Sequence, residues 1–220
     1  MPSMKRIKLV VFDLDGTLTK VGSVWRYIHE ALGTWDRGSL YAAMFFRGQV
    51  SYKEWARLDA GLWRGKTLEE MERIVSSISY TRGAAETVSF LQSHGVKVAV
   101  VSAGLSLIAD KALRDLGLDY AIANELIVKD GRVTGEVIIN VAFEGKGEVL
   151  KKLLRSLGCE VSQCLAVGDD LADIYLFREA GFRIAFNPRS PELEKEADAV
   201  IRSDDLQSIL PYVKPLLNRK

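Results

Sequence analysis

Residues 10–18 read Val10-Val11-Phe12-Asp13-Leu14-Asp15-Gly16-Thr17-Leu18, an apolar strand-like run that ends on two carboxylates. Residues two apart along a strand point to the same face, so we expect Asp13 and Asp15 to point into one site. Two carboxylates held close together raise each other's pKa and lose hydration, and a cation between them relieves both effects. Because the ligands are oxygens, we expect Mg²⁺. The alternative is an ordinary tight turn at Asp15-Gly16, capped by Asp13.

The composition is that of a globular enzyme. The chain has 220 residues, 48% of them hydrophobic, and a net charge of +1. This length can bury one substantial core and a small second one. The balanced charge gives no argument for a nucleic-acid or membrane partner. The apolar run before Asp13 is too short for a signal peptide or a membrane span, and Cys159 and Cys164 are expected to be unpaired thiols, so we expect a cytoplasmic protein.

Outside residues 21–79, short apolar runs alternate with helical patterns. The strand-like runs are Ile7–Phe12, Val96–Val101, Gln163–Val167 and Ile184–Phe186. The helical patterns are Ala84–Ser93, Leu105–Leu116, Gly147–Leu157 and Leu171–Ala180. This alternation predicts an α/β fold with a Rossmann-like parallel sheet flanked by helices. Within residues 126–137, Asp130-Gly131 joins two strand-like runs and predicts a hairpin, which either decorates the sheet edge or shelters the site.

Residues 21–79 form helical patterns separated near Gly33, Gly48 and Gly65, and we predict that they are an inserted all-helical domain. The core domain would then comprise residues 1–20 and 80–220. The insert holds all four tryptophans, Trp25, Trp35, Trp55 and Trp63. Most of its aromatic side chains are expected to form its own core. Alternatively, Trp55 or Trp63, near Arg57 and Arg64, forms a lid over a ligand.

Three further groups follow later elements, at the sheet edge where open parallel sheets bind ligands. Ser102-Ala103-Gly104 follows a strand and offers a hydroxyl and backbone N–H groups for an anion, although Ser102 is alternatively the cap of the next helix. Lys146 lies at a helix start, where a cation is unfavourable without an anionic neighbour, and the alternative is a solvated lysine. Asp169 follows a strand, and Asp173 lies one helical turn beyond it on the same side.

Together these groups supply a nucleophile, an acid/base, charge stabilisers and a metal site for phosphoryl transfer. No GxxxxGK[ST] motif is present, which argues against a P-loop nucleotide hydrolase.

At these residues the chain resembles the haloacid dehalogenase superfamily, whose DxDx[TV] motif matches residues 13–17. Ser102, Lys146 and the pair Asp169 and Asp173 match the other three motifs in order. The insert resembles the C1-type helical cap of that family. Residues 123–131, Ala-Asn-Glu-Leu-Ile-Val-Lys-Asp-Gly, are similar to phosphoserine phosphatases in particular.

The resemblance implies a role for each motif residue. Asp13 would attack phosphorus to give an aspartyl-phosphate, and Asp15 would protonate the leaving group and later activate water. Asp13, the Asp15 carbonyl group and Asp169 would hold Mg²⁺. Lys146, oriented by Asp173, would offset negative charge. The substrate-binding residues would be Thr17, Ser102, Ala103 and Gly104, with Arg57 and Trp63 from the cap.

The chain departs from phosphoserine phosphatases in its cap. Gly22 stands where they have a glutamate, and Asp59 where they have a substrate-binding arginine, unless a shifted register makes Arg57 the substitute. In the motifs, Ala103 and Ala172 replace a glycine and an asparagine. These departures argue against phosphoserine as the substrate, and the aromatic cap favours a leaving group with apolar or ring character.

We therefore expect a phosphatase that acts on a small phosphorylated metabolite, with the oligomeric state left open. One alternative is a phosphomutase of the same superfamily. The other is a non-catalytic sensor of a phosphorylated metabolite, which would not need both Asp13 and Asp15.

Overall fold

The computed structural model describes residues 4–219 and contains one seven-stranded sheet in the order β4-β3-β2-β1-β5-β6-β7. The strands are β1 (Leu9–Phe12), β2 (Lys97–Leu105), β3 (Tyr120–Lys129), β4 (Arg132–Ile138), β5 (Cys164–Gly168), β6 (Phe182–Phe186) and β7 (Ala199–Ile201). All neighbouring strands are parallel except β3 and β4. This sheet confirms the predicted fold class.

Ten α-helices lie in the described part of the chain. They are α1 (Val24–Ala31), α2 (Trp35–Phe46), α3 (Tyr52–Leu62), α4 (Leu68–Ser76), α5 (Ala84–Ser93), α6 (Ser106–Leu116), α7 (Lys146–Ser156), α8 (Asp173–Phe177), α9 (Pro191–Glu196) and α10 (Leu210–Leu217). Among these helices, none has the length and apolar character needed to cross a membrane.

Strand β1 lies at the centre of the sheet and is buried on both faces. Val10 and Phe12 belong to one hydrophobic core cluster, whereas Leu9 and Val11 belong to a second. The run is therefore continuously apolar, as expected of a parallel strand covered by helices on both sides.

The four helices α1–α4 form a helical cap and fall inside the stretch predicted as an insert. Ser51 and Glu54 form a reciprocal capping box at the start of α3, and the Thr67 hydroxyl accepts a hydrogen bond from the Glu70 N–H at the start of α4. The cap also meets the β3–β4 hairpin, where the Gly65 N–H donates to the Val133 carbonyl oxygen at 2.8 Å. The hairpin therefore contacts the cap and also forms one edge of the sheet.

Several element boundaries differ from the sequence prediction. Strand β2 continues past Val101 to Leu105, so Ser102 lies on the strand, and the helix that was expected from Leu105 begins at Ser106. Helix α8 is only five residues long, shorter than the predicted 171–180. Strand β7 and helices α9 and α10 lie outside the runs predicted from the sequence. Both cysteines are free, as predicted.

Candidate active site

The carboxyl ends of the three central strands bring the predicted motif residues together. Phe12 of β1 is in register with Val100 of β2 and Val167 of β5, so the residues that follow these positions meet at one edge of the sheet. Asp13, Ser102 and Asp169 are all at least 95% buried there. The sequence prediction that separate motifs converge on one site is consistent with this geometry.

Lys146 links two of these carboxylates. Its Nζ donates to Asp13 Oδ1 at 2.6 Å and to Asp173 Oδ1 at 2.7 Å, and all three side chains are buried. Burial alone would lower the pKa of Lys146, but Asp13 and Asp173 outweigh that effect and raise it. Lys146 is therefore a fixed positive charge, and its costly position at the start of α7 is explained by two anions.

Asp173 positions its neighbours with both of its oxygens. While Oδ1 accepts from Lys146, Oδ2 accepts from the backbone N–H groups of Asp169 at 2.9 Å and Asp170 at 3.0 Å. A carboxylate with both oxygens engaged in this way is suited to orienting Lys146 and the β5–α8 turn.

Asp15 has one oxygen bound and one unpartnered. Its Oδ2 accepts from the Val24 N–H at the start of the cap, at 2.7 Å, whereas Oδ1 is buried without a hydrogen-bond partner among residues 4–219. Burial raises the pKa of Asp15 to about 6. A carboxyl group that titrates in this range is able both to donate and to accept a proton near neutral pH.

Asp13 is the other acid of the opening motif. Lys146 binds only its Oδ1. Burial and the neighbouring Asp173 raise the pKa of Asp13 to about 7, although Lys146 acts in the opposite direction. A further positive charge would therefore stabilise the ionised form of Asp13.

Asp169 is held from two sides. Thr17 donates from Oγ1 to Asp169 Oδ1 at 2.9 Å, and Arg189 Nε lies 2.8 Å from Oδ2. Gly16, with φ of +90°, passes so close that a Cβ there would overlap the Asp169 carboxylate. The Thr17 hydroxyl thus orients an acid, and Thr17 does not line the cavity, so its predicted contact with substrate is not supported.

Arg189 is a site residue that the sequence analysis missed. It follows β6, contacts both Asp169 and Asp170, and donates from a terminal nitrogen to the Gly22 carbonyl oxygen at 3.1 Å. Its position just after a parallel strand is the signal that could have identified it, since the other motif residues share that placement.

The site has the charge and donor set for a divalent cation. Oxygens of Asp13, Asp169 and Asp173 lie within 4.8 Å of one another. Among residues 4–219, four buried carboxylates, these three and Asp15, lie near two cations, Lys146 and Arg189, which leaves an excess of two negative charges when all four acids are ionised. Asp173 accepts three hydrogen bonds through its two oxygens, whereas Asp13 has one oxygen that Lys146 does not bind. Asp169 pairs with the half-exposed Arg189, whose place a cation could take, so Asp13 and Asp169 are the side chains that best fit a cation.

The backbone after Val101 forms a second polar region. Gly104 N–H donates to Ser102 Oγ at 2.9 Å, so Ser102 is engaged at the end of β2 and does not cap α6. The Ala103 carbonyl oxygen accepts from Trp25 Nε1 at 3.1 Å, from Asn124 Nδ2 at 2.9 Å and from the Tyr52 hydroxyl. Core and cap therefore fix the same peptide group.

A cavity of about 240 Å³ joins this region to the cap. Its core side includes Asp13, Asp15, Ser102, Ala103, Gly104, Lys146 and Arg189. Its cap side includes Trp25, Trp35, Phe46, Tyr52, Trp55 and Asp59. The cavity has a charged end on the sheet and a mainly aromatic end on the cap.

The two predicted cap residues, Arg57 and Trp63, do not line this cavity, which corrects the sequence prediction. Arg57 points outwards, where its Nε lies 3.0 Å from a carboxylate oxygen of Glu136 on the hairpin. Trp63 is fully buried in the cap, with its ring stacked on Trp25 at a centroid distance of 5.4 Å. Trp55, the other tryptophan considered as a lid, does line the cavity.

Comparisons with known proteins agree with this geometry. The family described as haloacid dehalogenase-like hydrolase matches residues 10–178. Phosphoserine phosphatase of Methanocaldococcus jannaschii is 37% identical over 211 residues, which are 96% of this chain and 99% of that protein. A substrate-bound phosphoserine phosphatase complex superposes with a TM-score of 0.84 at 36% identity, covering 95% of this chain and 99% of the other. A phospho-aspartyl intermediate analogue of phosphoserine phosphatase gives a TM-score of 0.82 at 37% identity, covering 95% and 100%.

Proposed function

Since the chain belongs to the haloacid dehalogenase-like hydrolases and is a phosphomonoester hydrolase, we propose that it cleaves a small phosphorylated metabolite through an aspartyl-phosphate on Asp13. One observation carries the proposal. Asp13 and Asp15 share a cavity, with Asp13 bound through one oxygen to a buried lysine and Asp15 retaining an unpartnered oxygen. The solved phospho-aspartyl intermediate analogue of a relative supports the same chemistry.

In the first half-reaction, an Asp13 oxygen attacks phosphorus while the bond from phosphorus to the leaving oxygen breaks. The proton of Asp15 passes to that oxygen, so the alcohol leaves neutral. Lys146 offsets the negative charge of Asp13 before the attack and that of the phosphoryl group as it is transferred. Ser102 and the Ala103 N–H orient the phosphoryl oxygens.

In the second half-reaction, ionised Asp15 takes a proton from water. The resulting hydroxide attacks phosphorus, and the bond between phosphorus and the Asp13 oxygen breaks. Inorganic phosphate is released, and Asp13 and Asp15 return to their starting states. The raised pKa of Asp15, about 6, suits a group that alternates between acid and base.

We propose Mg²⁺ as the cation of this site, held by Asp13, Asp169 and the Asp15 carbonyl group. When bound, it supplies positive charge that stabilises the transferring phosphoryl group. The excess of two negative charges among the buried side chains supports a divalent ion.

We also propose that the substrate differs from phosphoserine. At the two positions where phosphoserine phosphatases are expected to bind the serine part, this chain has Gly22 and Asp59. A side chain at position 22 would contact the Arg189 guanidinium group, so a glutamate there would displace the end of that arginine. Asp59, in place of an arginine, would repel a carboxylate.

The test measures phosphate release from phosphoserine, sugar phosphates and an aromatic phosphate, with and without Mg²⁺, for the wild type and Asp13→Asn. We expect Mg²⁺-dependent release that falls by about 10³-fold or more in the variant, because the nucleophile is lost. Asp204→Asn, which changes an exposed carboxylate paired with Arg82, is the matched control and should keep its activity. Release that survives Asp13→Asn, or no release from any compound, would overturn the proposal.

A further inference from the structure

The cap end of the cavity combines aromatic rings with a single buried carboxylate. Trp25, Tyr52 and Trp55 line it together with Asp59, whose side chain is 3% exposed. Aromatic faces attract cations through their quadrupole, and they do so most strongly where water is excluded. A carboxylate among such rings adds a full negative charge, which attracts a cation further.

Asp59 lies beside His29 in the cap but makes no aligned hydrogen bond with it. His29 Nδ1 accepts a hydrogen bond from Trp63 Nε1 at 3.2 Å. The same Nδ1 lies 2.7 Å from the Thr34 hydroxyl, so both of its contacts are with residues of the cap. His29 Nε2 lies 3.2 Å from Asp59 Oδ1, but the two atoms are not aligned for a hydrogen bond. Asp59 Oδ1 is therefore buried without a hydrogen-bond partner among residues 4–219.

The other nitrogen donor near this carboxylate is also unsatisfied. Trp55 Nε1 is buried and has no hydrogen-bond partner among residues 4–219. Burial raises the pKa of Asp59, and the opposite effects of His29 and Trp55 do not cancel that rise.

The cations around the cavity are paired elsewhere. Lys146 and Arg189 lie at the phosphate end, each bound to two carboxylates. Arg26 lies over the ring of Trp35 at 5.0 Å and is bound to Glu30 at 2.7 Å. Arg57, the remaining candidate in α3, is bound to Glu136 outside the cavity.

We propose that the leaving group of the substrate carries an organic cation, an amine or a quaternary ammonium group, which Asp59 and the rings of Trp25, Tyr52 and Trp55 hold at the cap end of the cavity. This inference rests on the proposed phosphatase function and specifies its substrate class. The cavity volume of about 240 Å³ lies below the range typical of drug-sized ligands, so the molecule is a small amino-alcohol phosphate.

The sharpest test compares substrates that differ only in charge. Phosphocholine and 3,3-dimethylbutyl phosphate have the same shape, but a carbon replaces the cationic nitrogen in the second. Phosphoethanolamine and propyl phosphate form a second pair. We expect kcat/KM of the wild type to favour the cationic member of at least one pair by about tenfold or more. Equal or better turnover of the neutral member in both pairs would overturn the inference.

Asp59→Asn tests the assigned residue through the ratio between the members of a pair. The preference for the cation should fall at least about fivefold, because the amide keeps the size of the side chain but removes its charge. Glu69→Gln removes an exposed carboxylate of the same cap that does not line the cavity, so its ratio should match the wild type. A ratio unchanged in folded Asp59→Asn would overturn the role of Asp59.

The outcome also separates this inference from the proposed function. If the neutral phosphates are hydrolysed in an Asp13-dependent way without any preference for the cation, only the inference on substrate class fails. If neither cationic nor neutral compounds release phosphate, the proposed phosphatase function fails. The wild-type comparison stands even if Asp59→Asn does not fold.

Discussion

Asp173 shows how a residue that does not line the cavity organises the site. Its two oxygens accept three hydrogen bonds, one from Lys146 and two from the backbone of the β5–α8 turn. It thus fixes both the position of the positive charge beside Asp13 and the backbone that carries Asp169. The arrangement resembles the hydrogen-bonded supports that orient metal ligands in other enzymes.

Replacing this carboxylate with an amide should reduce activity. In Asp173→Asn, one oxygen becomes an NH₂ group, which cannot accept from either Lys146 or the two backbone N–H groups. We expect kcat to fall by about 10–100-fold, measured by steady-state phosphate release. Asp170→Asn is the comparison, since that carboxylate is half-exposed, and it should cost less than about tenfold. Asp173→Asn activity within twofold of the wild type would contradict the positioning role.

The motif residues of the core could be predicted from the sequence because each follows an apolar run at the same edge of a parallel sheet. Asp13, Ser102 and Asp169 needed no knowledge of distant contacts. Arg189 was missed because its role depends on a loop that returns to Asp169 from another strand. Arg57 was assigned wrongly because its partner, Glu136, lies 79 residues away on the hairpin.

At the scale of elements, helices α1 and α2 of the cap pack closely through a glycine. Gly38 of α2 is buried, and a Cβ there would approach the ring of His29 on α1 to 2.8 Å. Gly61 of α3 is also helical, but a Cβ at that position would meet nothing within 4 Å. The two glycines offer a matched comparison between helix propensity and packing.

Gly38→Ala should destabilise the protein and Gly61→Ala should stabilise it. Alanine gains about 1 kcal/mol over glycine in a helix, which Gly61→Ala should realise in part. In Gly38→Ala the contact with the His29 ring opposes that gain and should leave a net loss of about 1–3 kcal/mol. Urea unfolding of the two variants would measure both effects. A stabilising Gly38→Ala would show that the α1–α2 contact is loose.

The helical character of the cap was evident from its spacing and glycines, but its inner surface was not. Trp55 and Trp63 are both tryptophans of one helical segment, and only the packing of α3 against α2 and β4 decides which one faces the cavity. The end of β2 was likewise ambiguous, because residues 102–105 suit either a strand or a helix start. Tertiary contacts decide such cases.

For the whole molecule, the buried acids should make the free energy of unfolding fall as the pH rises. The pKa values of Asp13 and Asp15 rise from 3.8 to about 7 and about 6. Between about pH 4 and 7 the folded chain therefore binds more protons than the unfolded chain, and raising the pH favours unfolding. Surface carboxylates with lowered pKa, such as Glu54 and Asp115, are already ionised in both states above about pH 5.

Each pKa unit by which folding shifts an acid is worth about 1.4 kcal/mol. We therefore expect the free energy of unfolding of the metal-free protein to fall by a few kcal/mol between pH 5 and pH 7.5. Mg²⁺ should restore more of it at pH 7.5 than at pH 5, because it binds the ionised carboxylates. Urea midpoints measured in chelator and in excess Mg²⁺ would show both trends. The double variant Asp13→Asn with Asp15→Asn should flatten the metal-free profile. A metal-free midpoint that rises over this range would contradict the charge analysis.

The Ala103 carbonyl group connects the proposed phosphate pocket to the cap through hydrogen bonds. It belongs to the same peptide group as the Gly104 N–H, which donates to Ser102 Oγ. Two of its three donors, Trp25 and Tyr52, come from the cap, and only Asn124 comes from the core. Any movement that lifts the cap would remove two of these three donors, so the protein would uncover its product and loosen the proposed phosphate pocket in a single event.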